Sequence, residues 1–135
     1  MPKHLLDTER LTTDDINALL DEASTYLSPT GGVRSLTQPL LGQTIVLAFF
    51  EPSTRTRLSF EMAAKKLGAT VLQFTPEGSS VGKGESLHET FRTIEAMGVD
   101  AIVIRHAVDG VHRELATWTR MSVLNAGEGR TAHPT

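Results

Sequence analysis

"TIVLAFFEPSTRTRLSFEMAAKKLG", Thr44 to Gly68, changes period halfway along. Thr44 to Phe50 is a short, continuous apolar run rich in β-branched and aromatic residues, the pattern of a strand buried on both faces. From Thr54 the pattern becomes helical, with Lys65 and Lys66 in the last turn and Gly68 where a helix-ending glycine belongs. A buried strand that feeds straight into a helix is half of a β-α-β crossover. The residues at the joint, Ser53, Thr54, Arg55, Thr56 and Arg57, all carry a hydroxyl or a guanidinium.

The same alternation extends in both directions. Upstream, "TTDDINALLDEASTYL" places Thr12 as an N-cap with Asp15 three residues on, and Ile16, Leu19, Leu20, Ala23 and Leu27 recur at helical spacing. This predicts a helix with one buried face. Residues 28–43 hold three of the eleven glycines and two of the six prolines, which makes that stretch a loop. Downstream come a strand over 69–74, a helix over 85–98 with Leu87, Phe91, Ile94 and Met97 on one face, and a strand over 100–105. A short helix from Val111 to Trp118 and a strand over 121–126 complete the series. Strands alternating with helices predict an α/β fold, a parallel four-stranded sheet flanked by helices and built from right-handed crossovers.

At 135 residues the chain is read as one domain, 1–135. Thirteen Lys and Arg against sixteen Asp and Glu leave a net charge of -3, which argues against a nucleic-acid surface or a polybasic membrane anchor. The absence of cysteine removes disulfides, thiolate catalysis and Cys-ligated metals. "MPKHLLDTERL" lacks the apolar core of a signal peptide, and no run reaches the roughly 18 apolar residues of a membrane span. The expectation is a cytoplasmic protein.

In open α/β sheets ligands bind beyond the carboxyl ends of the strands. All the unusual clusters fall there. Ser53 to Arg57 follow the first strand at a helix N-terminus, where unpaired N–H groups and the helix dipole favour an anion. "TPEGSSVGKGES", with Ser79, Ser80 and Lys83, follows the second; Arg105 and His106 follow the third; "GEGRTAHPT", with His133, follows the fourth. Guanidinium forks and hydroxyls together suit a phosphate or a similar oxyanion. Plainer roles compete: Ser53 as an ordinary N-cap, Arg57 paired with Glu61 on the helix surface, Arg105 as a solvent contact. His4, His88 and His112 have no partners at ligand spacing and read as surface residues.

Two motifs fail on inspection. "GSSVGKG", Gly78 to Gly84, has three residues between its outer glycines where a nucleotide-binding P-loop has four, and Gly84 stands where a Ser or Thr should hold magnesium. "GEGRTA", Gly127 to Ala132, matches a dinucleotide fingerprint formally but follows the fourth strand and leads into His133 and Pro134.

"FFEPSTRTRLSFE", "SSVGKGESLHET", "GVDAIVIRH" and "NAGEGRTAHPT", in this order, resemble the carbamoyl-phosphate domain of the aspartate carbamoyltransferases, from Lys3 onward. The resemblance implies a Rossmann-like three-layer sandwich and transfer of the carbamoyl group of carbamoyl phosphate to the amino group of L-aspartate in pyrimidine biosynthesis. No cofactor and no metal is implied. By motif position Ser53, Thr54, Arg55 and Thr56 bind phosphate, Arg105 reaches phosphate and carbonyl oxygen, and His133 with Thr56 and Arg105 polarises the carbonyl. Ser79 or Ser80 and Lys83 are implied to act in trans, from the neighbouring subunit of a homotrimer, with regulatory or pathway subunits as further partners. Glu51 is implied to tie two domains together, and so to lack its partner here. Relatives of this kind run to more than twice this length, so a separate aspartate-binding domain is expected to be absent. Little activity alone, an uncovered apolar face and poor solubility follow. The alternatives are an ornithine carbamoyltransferase or a non-catalytic phosphate-binding or trimer-forming fragment.

Overall fold

A computed structural model of the chain describes residues 2–32, 37–76 and 86–130. Its elements in chain order are α1 (Thr13–Thr25), β1 (Thr44–Phe49), α2 (Thr54–Lys66), β2 (Thr70–Phe74), α3 (Leu87–Ala96), β3 (Ala101–His106), α4 (Val111–Trp118) and β4 (Ser122–Glu128). The strands form a parallel sheet in the order β2-β1-β3-β4. From β1 the chain steps outward through α2 to β2, then returns through α3 to β3 on the other side of β1. The loops leaving β1 and β3 therefore diverge to opposite faces and open a crevice between the two strand ends.

Strand periodicity sorts the core into two layers. Val46 and Ala48 point to the face that carries Phe91 and Ile94 of α3 and Leu115 of α4. Leu47 and Phe49 point to the opposite face, with Val103, Ala126 and Phe60 of α2. β1 and β3 are covered on both sides, so their sequences are continuous apolar runs without alternation. α2 ends as its sequence predicts: Leu67 caps it and Gly68 follows at φ +95°, where a Cβ would lie 2.7 Å from Cβ of Gln38. Only glycine fits that turn without displacing the 37–43 segment.

The expectation for α1 is half right. Its capping box forms, with Oγ1 of Thr12 accepting from Asp15 N at 3.1 Å and the Asp15 carboxylate accepting from Thr12 N at 3.0 Å. The Thr12 hydroxyl, which donates to the Asp15 carboxylate at 2.7 Å, and then the Thr12 N–H hold the Asp15 carboxyl below its usual range. The predicted buried face does not form: α1 has no buried residue, and Leu20 is 63% and Leu27 58% exposed. Among the described residues no member of that stripe is fully buried, and only Leu19 is partly covered, so amphipathic spacing reports a capacity for burial that the described residues leave largely unused. Leu41, Met62 and Met97 are likewise exposed. No described helix is long and apolar enough to cross a membrane.

Because Leu47 is fully buried between β1 and α2, Leu47→Ala is expected to lower unfolding free energy by about 2–5 kcal/mol, read as a shift in urea midpoint at unchanged slope.

Candidate functional site

The crevice between β1 and β3 is where the chemistry gathers. Phe50 N donates to the Arg105 carbonyl at 2.9 Å, which fixes the start of the β1–α2 turn against the last residues of β3. Ser53 occupies the N-cap position of α2, yet its side chain makes no capping bond. Its Oγ instead accepts from Nη1 of Arg105 at 3.1 Å, while Nε of Arg105 lies 3.4 Å from Oε2 of Glu51. Leaving its own helix uncapped, the serine joins a cluster with a guanidinium, which costs the helix start one satisfied N–H. The N–H groups at the head of α2 and the Arg105 fork thus converge on one side of the sheet, a donor array for an oxyanion.

Other site residues separate by burial. Thr56 is buried in the first turn of α2, its carbonyl accepting from Oγ of Ser59 at 2.8 Å, whereas Thr54 and Arg55 are exposed beside it. Arg57 points away from the crevice and pairs with Glu61 at 3.5 Å. Lys65 bonds the same carboxylate at 2.7 Å and Gln73 at 2.9 Å, and these contacts, Lys65 foremost, hold the Glu61 carboxyl below its usual range. The helix-surface role is therefore the one the structure gives Arg57. His133, Ser79, Ser80 and Lys83 lie outside the described residues.

Two residues meet the Arg105 side chain that the sequence did not place against it. Glu51, implied to tie two domains together, is paired within this chain with Arg105. Gly127 lies flat against the same side chain at φ +136°, where a Cβ would fall 3.2 Å from Cγ and 3.3 Å from Cδ and Nε of Arg105. That conformation is set locally, since Oδ1 of Asn125 accepts from Gly127 N at 2.8 Å in an Asx-type turn. "NAG" carries that turn signal, so this part was available to sequence reasoning. The first glycine of "GEGRTA" thus makes room for an arginine, in keeping with the rejection of a dinucleotide fingerprint.

His112 overturns its expectation as a surface residue. It is fully buried, with Nε2 2.8 Å from the Ile104 carbonyl oxygen. It shares the inward face of α4 with Leu115, three residues on, and Thr119, seven on; helical spacing carried that signal. His88 does sit at the surface, stacked on Trp118 at 4.3 Å between ring centres, with Arg92 over the same indole at 4.6 Å. His4 is half-buried at the sheet edge, where its Nδ1 accepts from Val123 N at 3.2 Å.

A guanidinium, hydroxyls and a helix N-terminus are thus gathered at the switch point of a parallel α/β sheet, a set of donors with the chemistry to meet an oxyanion. Over residues 3–135 the sequence matches the family model "Aspartate/ornithine carbamoyltransferase, carbamoyl-P binding domain", and the chain belongs to that family. It is 53% identical over 134 residues to the aspartate carbamoyltransferase catalytic subunit of Frankia casuarinae, covering 98% of this chain and 42% of that one. Aspartate transcarbamoylase of Trypanosoma cruzi, in complex with aspartate and phosphate, superposes with a TM-score of 0.86 at 34% identity, over 97% of this chain and 42% of that one. The anabolic ornithine carbamoyltransferase of Campylobacter jejuni gives 0.82 at 28% identity, over 98% of this chain and 41% of that one. The chain thus spans about two fifths of the length of these relatives.

Gly127→Ala is expected to cost about 1–3 kcal/mol of stability from the left-handed backbone alone and to push the Arg105 side chain off Ser53. Thermal melts check the first effect, and the Arg105 Nε signal in nitrogen-15 NMR checks the second.

Proposed function

We propose that this chain is the carbamoyl-phosphate-binding part of an aspartate carbamoyltransferase. The observation that carries the reading is the Arg105 fork, bonded to Ser53 at the uncapped head of α2. It supplies what a doubly charged acyl phosphate needs: a fixed cation, a hydroxyl and aligned N–H groups. In this reading Ser53, Thr54, Arg55 and Thr56 hold the phosphate. Glu51 keeps Arg105 oriented until the ligand competes for the guanidinium.

The reaction joins the aspartate amine nitrogen to the carbamoyl carbon. The carbon–oxygen bond to phosphate breaks, the phosphate leaves with that electron pair, and the amine loses a proton. Negative charge builds on the carbonyl oxygen as the tetrahedral state forms, and Arg105, Thr56 and His133 are the groups assigned to meet it. The rest of the catalysis is positioning of two reactants, with no covalent enzyme intermediate. The names of the relatives favour aspartate as acceptor over ornithine, since the relative at 53% identity is an aspartate enzyme and the ornithine enzyme shares 28%. The same reading places the protein in the cytoplasm, in pyrimidine synthesis, as a homotrimer in which Ser79 or Ser80 and Lys83 reach the neighbouring site. The four matched motifs support it. The aspartate site is assigned to the portion of the relatives that this chain does not span.

Calorimetric titration of carbamoyl phosphate into the 135-residue chain is expected to show saturable binding, with negligible turnover of aspartate. Arg105→Ala removes charge-assisted bonds worth about 1.5–3 kcal/mol and is expected to weaken binding by about 10- to 150-fold. Arg55→Ala is expected to weaken it as well. Unchanged affinity in both variants would overturn the assignment.

A further inference from the structure

His112 and Glu128 take no part in the chemistry above, yet they form a buried polar cluster against the backbone on either side of Arg105. Nε2 of His112 lies 2.8 Å from the Ile104 carbonyl oxygen. A carbonyl only accepts, so Nε2 carries the proton, and the neutral ring presents a lone pair at Nδ1. That Nδ1 is buried with no hydrogen-bond partner among the described residues and faces Oε1 of Glu128 at 3.7 Å. Two acceptors face each other there, in a place where an unmet polar atom is costly. One proton would convert the contact into a charge-assisted bond.

Both residues are tied to the backbone that carries Arg105. The β3–β4 register slips between Ile104 and His106, around Arg105 itself. Three consecutive carbonyls are held at that slip: Ile104 by His112, Arg105 by Phe50 N, and His106 by Gly129 N at 3.0 Å. Glu128 closes the other side. Its Oε1 accepts from Gly110 N at the head of α4, which has no side-chain cap, and its Oε2 accepts from Nδ2 of Asn125 at 3.3 Å. Asn125 in turn sets the turn at Gly127 that lies against the Arg105 side chain.

We propose that His112 and Glu128 are positioning residues for Arg105 and together form a one-proton site that sets how firmly the end of β3 is held. The inference rests on the reading of Arg105 as the oxyanion ligand. Proton uptake forms Nδ1–H···Oε1, locks the head of α4 to the end of β4, and adds positive charge at the end of the strand that carries Arg105. Oxyanion binding therefore strengthens on the acid side. The groups that bear on His112 are Glu128 from β4 and His106 from β3. Asp109, in the turn before α4, lies near Gly129; on α4 itself Arg113 and Glu114 are exposed, Arg113 paired with Asp7; His88 and Arg92 of α3 meet the far end of the helix at Trp118. Burial pushes His112 below the ordinary histidine value against the raising pull of the Ile104 carbonyl and Glu128, so its step falls on the acid side of neutrality.

The test is nitrogen-15 NMR of the full chain labelled at histidine and arginine, titrated from about pH 8 to 5, with sulfate as an oxyanion that does not itself titrate there. The expected result is His112 as the Nε2–H tautomer at high pH, with its protonation step repeated in the Arg105 Nε signal and in sulfate affinity, which rises about fivefold or more. His112→Gln keeps an amide donor for the Ile104 carbonyl but cannot take up the proton. It is expected to lose the step in both readouts while His106 still titrates. An Nδ1–H tautomer, an Arg105 signal that stays flat through the His112 step, or a step that survives in His112→Gln would each overturn the proposal. Sulfate that fails to bind while the Arg105 signal follows His112 would sink the oxyanion reading of the site and leave the His112–Arg105 coupling established.

Discussion

Everything in this domain hangs on the adjacency of β1 and β3 in the middle of a parallel sheet. Both strands are buried on two faces, which forces helices onto both sides and sends their outgoing loops in opposite directions. The crevice is therefore a consequence of strand order. Ser53 and Glu51 arrive from one strand and Arg105 from the other, 54 residues apart in sequence for the Glu51 pair.

Holding an arginine at that point requires an unusual backbone. A guanidinium gains from a fixed geometry only if its stem is fixed too, since a long side chain otherwise loses rotamer entropy on binding. Here the register slip around Arg105 breaks the regular ladder, and the carbonyls along it are taken up by a histidine side chain, by the next turn and by a glycine N–H. The "NAGEG" segment supplies most of this support: an asparagine that sets a turn, a glycine thin enough to lie against the arginine, and a glutamate that stands in as cap for α4. Gly127 and the carboxylate serve the arginine's placement, in keeping with the failure of a dinucleotide-fingerprint reading of that segment.

The contrast between Arg57 and Arg105 shows how little residue type says by itself. Both lie near the helix head in the sheet's carboxyl-end region and both meet a carboxylate. Arg57 is one turn into α2, where its neighbour four residues on is the nearest anion, so helical geometry makes it a surface ion pair of small energetic weight. Arg105 ends a buried strand, more shielded from water, where the same kind of contact orients a donor fork toward the crevice.

By itself the sequence determined the alternation of four strands with helices, the caps at Thr12 and Gly68, the Arg57–Glu61 pair and the hydroxyl-guanidinium cluster of 53–57, because each depends on residues a few positions apart. Burial was decided only by tertiary structure. α1 has a proper apolar stripe and buries nothing, while His112, read as a surface residue, has no exposed surface at all. The pairing of Arg105 with Ser53 and Glu51, and its contact with Gly127, also came only from the fold, since parallel crossovers bring together residues from three separate strand ends. Periodicity tells a residue which way it faces along its own element. Whether anything waits on that side depends on the order in which the strands are laid down.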